Sequence, residues 1–173
     1  MPQYPRVVII TQGYREIEQD YQNIEHIILE DIAPPNAFND GIKSSNGDIY
    51  CVMTENETFV RDNVVTQAVN IFCKHPEFAV VYGDCLSNGT RTHYPSHVFT
   101  NFQRQDLIIN TPFFFKQIDE EFNTNLEYLY YYDMLKRLST KYIFHHIPEP
   151  LFEIVAINKN YVKDLSIINV QSS

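Results

Sequence analysis

Short apolar runs alternate with helix-like segments along the first half of the chain. The runs lie at residues 6–11, 24–29, 48–53 and 78–82. Most are rich in Ile and Val and are bounded by polar, Gly or Pro residues, which predicts strands buried on both faces. Such alternation predicts an α/β fold with a mostly parallel central sheet and helices on both faces.

The segments between these runs have the lengths and patterns of helices. Residues 36–45 can form a short helix, which the pair Asn46-Gly47 would end. Residues 60–74 predict a longer helix because apolar residues such as Val65, Ala68 and Phe72 recur at spacings of three and four. Residues 12–23 are polar and leave room for a short helix only.

The second half of the chain is less regular. Residues 89–94 and 98–103 predict exposed strands or loops, and Pro112 interrupts an apolar run at 107–115. A strong helical pattern covers residues 126–138. A final strand is predicted at 142–147, before Pro148 and Pro150, and the tail beyond Val155 has room for one more helix.

The length and charge of the chain exclude several classes of protein. A chain of 173 residues suits a single domain, 1–173, with a full core. The net charge of −9, from 13 Lys and Arg against 22 Asp and Glu, disfavours nucleic-acid partners because a phosphate backbone would be repelled. No apolar run approaches the roughly 20 residues of a transmembrane segment.

The N-terminus and the cysteines bear on the cellular compartment. The apolar part of the N-terminal segment is too short for a secretory signal. The odd number of cysteines, Cys51, Cys73 and Cys85, and their apolar surroundings predict reduced thiols. The sequence therefore predicts a soluble, cytoplasmic protein.

Acidic residues follow three of the four predicted strands of the first half. They are Glu30-Asp31, Glu55 with Glu57, and Asp84. Because ligands of open α/β sheets bind at the carboxyl ends of the strands, these acids are candidates to contact a ribose, a base or a divalent cation. The alternative is that polar residues simply form the loops that end strands.

Several segments together resemble family 2 glycosyltransferases, which have the GT-A fold. The run QDYQNIEHIILED, residues 19–31, is similar to the second-strand region of that family. Further similar segments follow in the family's order, at residues 37–42, 45–49, 80–84, 130–138 and 146–151. The resemblance covers about residues 5–155.

The resemblance implies both a fold and an activity. The fold is a GT-A-like three-layer sandwich, with a nucleotide-binding part at about 5–84 and an acceptor-side part at about 85–155. The activity is inverting transfer of a sugar, in the hexosyl- or N-acetylhexosaminyl-transferase class, from a UDP-sugar donor to the hydroxyl of a glycan, protein or lipid acceptor. The donor sugar, the acceptor and homo-oligomerisation are left open.

The resemblance also assigns roles to particular residues. Glu30 and Asp31 would contact uridine, Thr11 would lie beside the base, and Asn39 would lie near the nucleotide. The family's acidic motif falls on residues 54–57, where Asn56 would contact the nucleotide and Glu57, with Glu55 in reserve, would bind Mg²⁺ or Mn²⁺. Such a metal neutralises the charge that develops on the leaving diphosphate.

The chain departs from the family in two structural respects. Few residues separate Asp31 from the helix that contains Asn39, where the family has another helix and strand, so a trimmed domain is expected. The paired aspartates of the motif are replaced by Asn56 and Glu57, so the site has lost one charge and should bind metal more weakly.

The catalytic base is the third departure. Alignment on the helix at 126–138 places Tyr131 at the usual base position, and a phenol with a pKa of about 10 is a poor base at neutral pH. Asp133 is the candidate substitute, and Glu127 is a weaker one. The alternative for Asp133 is an ion pair with Arg137, four residues later on the same helix.

The sequence leaves two other functions open and excludes one pair of histidines as a metal site. The losses at Asn56 and Tyr131 leave open a degenerate protein that binds a nucleotide-sugar without transfer. A nucleotidyltransferase would need a basic Gly-rich loop, of which residues 11–15 are a faint version. His145 and His146 adjoin on a predicted strand, so they point to opposite faces and cannot chelate one ion together.

Overall fold

A computed structural model describes residues 1–96, 108–155 and 160–171 of the chain. The strands described are β1 Val7–Gln12, β2 Ile24–Leu29, β3 Ile49–Thr54, β4 Glu57–Phe59, β5 Phe78–Ser87, β6 Thr90–Thr92, β7 Phe114–Lys116 and β8 Ile143–Ile154. The helices described are α1 Pro34–Lys43, α2 Val64–Lys74, α3 Tyr130–Ser139 and α4 Val162–Gln171. The expected strand at 98–103 lies outside the described residues.

All eight strands belong to one curled sheet. Its order is β2-β1-β3-β7-β5-β8-β4, and β6 pairs with β5 beside this path. The longer strands pair in parallel, β1 with β2 and β3, and β5 with β8. The short strands β4, β6 and β7 pair antiparallel. The predicted α/β fold with a mostly parallel sheet is confirmed.

Helices cover both faces of this sheet, which gives three layers. Val8 and Ile10 of β1 pack into a core with α1, α3 and α4, whereas Val7 and Ile9 pack into a second core with α2. All four residues are fully buried, as the period of two along a strand requires when both faces are covered. The predicted three-layer sandwich is confirmed.

The trimming expected between Asp31 and Asn39 is also present. After β2 the chain enters α1 directly, with Pro34 in the first turn of the helix. Proline is favoured there because the first N–H groups of a helix have no partner within the helix. Within the described sheet, β2 is therefore an edge strand.

The predicted end of the last strand at residue 147 is wrong, since β8 runs on through Pro148 and Pro150 to Ile154. The pairing register shifts here, because Gly83 lies opposite Ile147 but Asp84 lies opposite Pro150. Such a bulge tolerates prolines, which have no N–H to donate to a neighbouring strand. The strand predicted at 78–82 is likewise longer, since β5 extends to Ser87.

The segment between β1 and β2 is not helical, so the short helix expected within 12–23 is wrong. The chain is instead bonded to the start of α2. Gln19 donates through Nε2 to the carbonyl of Arg61 at 2.7 Å, and its Oε1 accepts from the N–H of Val65 at 2.9 Å. These contacts begin α2 at Val64, four residues later than the apolar pattern suggests.

The helix predicted from residue 126 begins at Tyr130, and the tail helix is confirmed as α4. A buried carboxylate, Asp164 of α4, accepts hydrogen bonds from the N–H groups of Glu127, Tyr128 and Leu129. Because these N–H groups bond to a side chain of α4, the helix does not extend to the N-terminal side of Tyr130. The C-terminal segment thus fixes where α3 starts.

The structure bears on two predictions from the sequence, which concern transmembrane segments and the state of the cysteines. Among the described helices, each is too short or too polar to cross a bilayer. Cys51, Cys73 and Cys85 are all free thiols, and two of them are buried.

Candidate functional site

A cleft of about 190 Å³ opens at the carboxyl end of the sheet. Ser87 and Ile154, the last residues of β5 and β8, lie on its wall. The cleft is lined further by Glu57, Asn110 and the tyrosines Tyr94, Tyr128, Tyr130, Tyr131 and Tyr161. This is the edge at which open α/β sheets bind ligands.

Glu57, the first residue of β4, contributes a carboxylate to this cleft although only 4% of its surface is exposed. Its Oε2 accepts a hydrogen bond from the N–H of Thr54 at 2.7 Å and one from the hydroxyl of Tyr131 at 2.6 Å. Two short hydrogen bonds to one oxygen fix the orientation of the Glu57 side chain.

Tyr131 occupies the position at which the family resemblance places a catalytic base. It is 1% exposed, and burial together with the neighbouring charge of Glu57 raises its pKa well above the ordinary value. The phenol therefore keeps its proton at neutral pH and acts as a hydrogen-bond donor to Glu57. This geometry gives Tyr131 a positioning role.

Asp133 lies in a different environment from the cleft. Its carboxylate pairs with Arg137 at 2.9 Å, which is the ion pair that the sequence left as the alternative. Arg137 also pairs with Glu120 at 2.7 Å, so both side chains face the segment before α3. Burial raises the pKa of Asp133 despite the charge of Arg137. Glu127 is exposed, and its N–H bonds to Asp164.

Two residues predicted to bind nucleotide are instead held by protein groups. Thr11 is fully buried, and a 2.8 Å hydrogen bond joins its Oγ1 to Nε2 of His26 on the neighbouring strand. Asn39 is 7% exposed. Its amide donates to the carbonyl of Phe122 at 2.9 Å and accepts from the N–H of the same residue at 2.8 Å.

The acids at the end of β2 are accessible. Glu30 and Asp31 are both exposed. Asp31 has a positive φ of 58°, a conformation that Asp adopts more readily than most residues because its short side chain can bond locally. Both carboxylates thus lie exposed at the carboxyl end of β2.

The turn between β3 and β4 places its two glutamates against different elements. Glu55 is exposed and lies against Gly13, where an added Cβ would come within 2.9 Å of the Glu55 side chain. The carbonyl of Glu55 accepts from Nη2 of Arg15 at 2.7 Å. Asn56, half-buried, bonds through its N–H to Oγ1 of Thr54 at 3.3 Å. Glu57 alone of these side chains bonds to α3.

A second cavity of about 310 Å³ lies beside this turn. Arg15, Met53, Phe59 and Arg61 form part of its lining, together with the acids Glu16, Glu18 and Asp62. The Nε atom of Arg15 is buried and has no hydrogen-bond partner. The only sequence signal for this cavity was the loop at residues 11–15.

Asp84 was expected to follow a strand, but it lies within β5 because that strand continues to Ser87. It is the centre of a polar network that the sequence did not indicate. It is 2% exposed. Burial disfavours its charge, but hydrogen bonds from the Tyr94 N–H, Arg91 and His146 outweigh burial and lower its pKa below the ordinary value. His146 approaches from β8 at 2.8 Å. The alternating strand pattern does separate His146 from His145, which packs on Phe78.

The donor set of the cleft can be tested against a divalent metal. Within the parts of the chain that the structure describes, no three His, Cys, Asp or Glu residues cluster as a complete metal site. A cation that bridges a diphosphate needs only one or two protein carboxylates, because phosphate and water supply the other ligands. Glu57 fits that requirement, whereas Glu55 contacts a different element.

Comparison with known proteins places the fold among glycosyltransferases. No family model matches the chain, and no curated protein matches its sequence. The S. aureus TarS structure aligns with a TM-score of 0.69 at 11% identity, over 96% of this chain and 39% of TarS. TarS 1–349 in complex with UDP-GlcNAc aligns with a TM-score of 0.66 at 10% identity, over 90% of this chain and 60% of that one.

A third structure is a more distant enzyme of the same kind. The mannosyltransferase PcManGT from Pyrobaculum calidifontis, in complex with GDP-Man and Mn²⁺, aligns with a TM-score of 0.59 at 14% identity. The alignment covers 96% of this chain and 61% of that enzyme. The chain thus spans between about two fifths and three fifths of these proteins and has a glycosyltransferase-like fold.

Proposed function

We propose that the chain is a divergent family 2 enzyme that transfers a sugar from a UDP-sugar to an acceptor hydroxyl, with inversion and with a divalent metal. The observation that carries the proposal is the buried carboxylate of Glu57 at the cleft on the carboxyl edge of the sheet. The glycosyltransferase-like fold supports it, and so does the exposure of Glu30 and Asp31 on the donor side.

Glu57 is the residue that would hold Mg²⁺ or Mn²⁺, and the metal would stabilise the charge of the leaving diphosphate. The Thr54 N–H and the Tyr131 hydroxyl orient the Glu57 carboxylate for that role. Tyrosines line the same cleft and would pack against the sugar ring of a donor. Glu30 and Asp31 would accept hydrogen bonds from uridine.

The second candidate is a protein that binds a nucleotide-sugar without transferring it. Two observations favour it, since the phenol of Tyr131 is buried against Glu57 and Asp133 is paired with Arg137. Among the described residues that line the cleft, Glu57 is then the only carboxylate. In this candidate nothing removes the proton of an acceptor hydroxyl.

A screen of UDP-sugars separates the two candidates. The purified chain is incubated with each UDP-sugar and Mn²⁺, and release of UDP is measured together with the shift in melting temperature. An enzyme releases UDP preferentially from one UDP-sugar. Glu57→Gln then lowers the rate of UDP release at least about 100-fold, because the substitution removes the carboxylate that would bind the metal. Glu55→Gln is the matched control, and we expect less than a threefold change.

The outcomes of the screen are distinct. Thermal stabilisation by a UDP-sugar without release of UDP favours the binding protein, because binding alone raises the melting temperature. Absence of both stabilisation and release for every UDP-sugar would contradict the proposal. A single-domain organisation, homo-oligomerisation and a cytoplasmic location stay predictions from the sequence.

A further inference from the structure

A serine, a histidine and an aspartate form a hydrogen-bonded chain on the β5–β8 side of the molecule. Ser96 Oγ lies 3.0 Å from Nδ1 of His146, and Nε2 of His146 lies 2.8 Å from Oδ1 of Asp84. Both distances lie within the range in which a nucleophile, its base and the group that orients the base act together. None of these three residues belongs to the cleft around Glu57.

The direction of the hydrogen bonds follows from the chemistry of the groups. Asp84 is ionised, since its pKa lies below the ordinary value, and a carboxylate only accepts. In the neutral form of His146, Nε2 would then carry the hydrogen, and Nδ1 would accept the hydroxyl hydrogen of Ser96. This tautomer is the one that a general base needs.

Asp84 and His146 are buried, whereas Ser96, at the outer end of this series of hydrogen bonds, is exposed. The side chains of Asp84 and His146 are 2% and 4% exposed, and the ring of Tyr82 packs on the imidazole at 4.9 Å. Ser96 is exposed. Its position is fixed because Asp84 also accepts from the N–H of Tyr94 at 2.9 Å, and Tyr82 donates to the carbonyl of Pro95.

Two cationic or potentially cationic side chains surround the same carboxylate. Arg91 donates to Oδ2 of Asp84 at 2.8 Å, and Nδ1 of the exposed His93 lies 3.6 Å from that oxygen. Arg91 neutralises much of the charge of Asp84, so Asp84 serves chiefly to hold the imidazole in place.

We propose that Ser96 is an activated nucleophile that reacts with acyl esters. Ser96 Oγ attacks the carbonyl carbon while its proton passes to Nδ1 of His146. The bond from that carbon to the leaving alcohol oxygen breaks, and the alcohol takes the proton from His146. Water then attacks the acyl-serine with the same base, which releases the carboxylic acid and restores Ser96.

Labelling with a fluorophosphonate probe tests this directly, because such probes modify activated serines. The full chain is incubated with the probe, digested and analysed by mass spectrometry, and hydrolysis of p-nitrophenyl acetate is followed in parallel. We expect one phosphonylated site, at Ser96. Ser96→Ala should abolish labelling and lower hydrolysis at least tenfold, whereas Ser139→Ala should change neither, since the Ser139 hydroxyl bonds to the Lys136 carbonyl.

The role of His146 distinguishes an activated serine from a merely exposed one. His146→Gln should reduce labelling of Ser96 at least tenfold, with circular dichroism confirming that the variant is folded. Ser96→Cys is the second variant, and its thiol should react with iodoacetamide faster than the exposed Cys73 does. Labelling of the wild type equal to that of Ser96→Ala, or labelling that His146→Gln leaves unchanged, would overturn the proposal.

Discussion

The nucleotide side of the predicted site and the cleft side differ in what their buried polar residues contact. On the nucleotide side, the hydrogen bonds of Thr11 and Asn39 go to His26 and Phe122, and each bond joins two elements of the fold. On the cleft side, Glu57 bonds to Tyr131 and still lines an open cavity. Access to an open cavity thus distinguishes Glu57 from Thr11 and Asn39, although all three are buried and hydrogen-bonded.

The difference suggests how a shortened domain keeps its fold. The family resemblance places a further helix and strand after Asp31, and here α1 follows β2 directly. Asn39 then joins α1 to the segment before α3. A residue that the resemblance assigns to a ligand has a structural partner in this chain.

The largest expected effect on the nucleotide side comes from Asn39. Asn39→Ala leaves the N–H and the carbonyl of Phe122 without partners in a buried position, and we expect a loss of about 2 kcal/mol in the free energy of unfolding. Urea denaturation measures it. Asn36→Ala on the exposed face of the same helix is the control, with an expected change below about 0.5 kcal/mol.

An opposite result for Asn39 would remove the contrast between the two sides. If Asn39→Ala left the free energy of unfolding unchanged and weakened UDP binding as Glu57→Gln does, Asn39 would be a ligand of the nucleotide. Both quantities are therefore measured on the same preparation.

A smaller effect is expected at Thr11. Thr11→Val keeps the shape of the side chain and removes one hydrogen bond to His26, at an expected cost of about 1 kcal/mol at pH 7. Burial lowers the pKa of His26 below its ordinary value of 6.5. The unfolded chain therefore binds a proton at His26 before the folded chain does, and stability falls as the pH drops below about 6.5.

The pH dependence gives Thr11 and His26 a joint test. Thermal unfolding of the wild type is measured between pH 7.5 and 5.5, and His26→Gln should flatten the fall in stability. Some slope should remain, because burial also lowers the pKa of His145. A slope that His26→Gln leaves unchanged would show that His26 binds protons equally in the folded and unfolded chains.

Much of the fold follows from the local sequence pattern, and its departures have identifiable physical causes. The apolar runs located β1, β2 and β3 to within a residue. For β1 and β3 the reason is burial on both faces. The prediction of such burial is wrong for β2, which is a partly buried edge strand. The pattern could not show that β8 continues through Pro148 and Pro150, since the bulge depends on the register with β5. Nor could it place the start of α3, which depends on Asp164, more than thirty residues away.

The sequence indicated the motif of the candidate site but not the contacts that its residues make. Residues 54–57 stood out because acids follow a buried strand at the sheet edge where ligands bind. The bond between Glu57 and Tyr131 joins residues 74 positions apart, so no local pattern contains it. The same holds for the hydrogen bonds that join Ser96, His146 and Asp84. Ser96 lies in the segment after β6, His146 in β8 and Asp84 in β5.

Calorimetric titration with UDP, with and without Mn²⁺, tests the central claim most directly. We expect Mn²⁺ to tighten UDP binding to the wild type and to Glu55→Ala at least tenfold, and we expect Glu57→Ala to remove this enhancement. Equal enhancement in the wild type and in Glu57→Ala, or UDP binding that Mn²⁺ does not change in any of the three proteins, would contradict the assignment of the cleft.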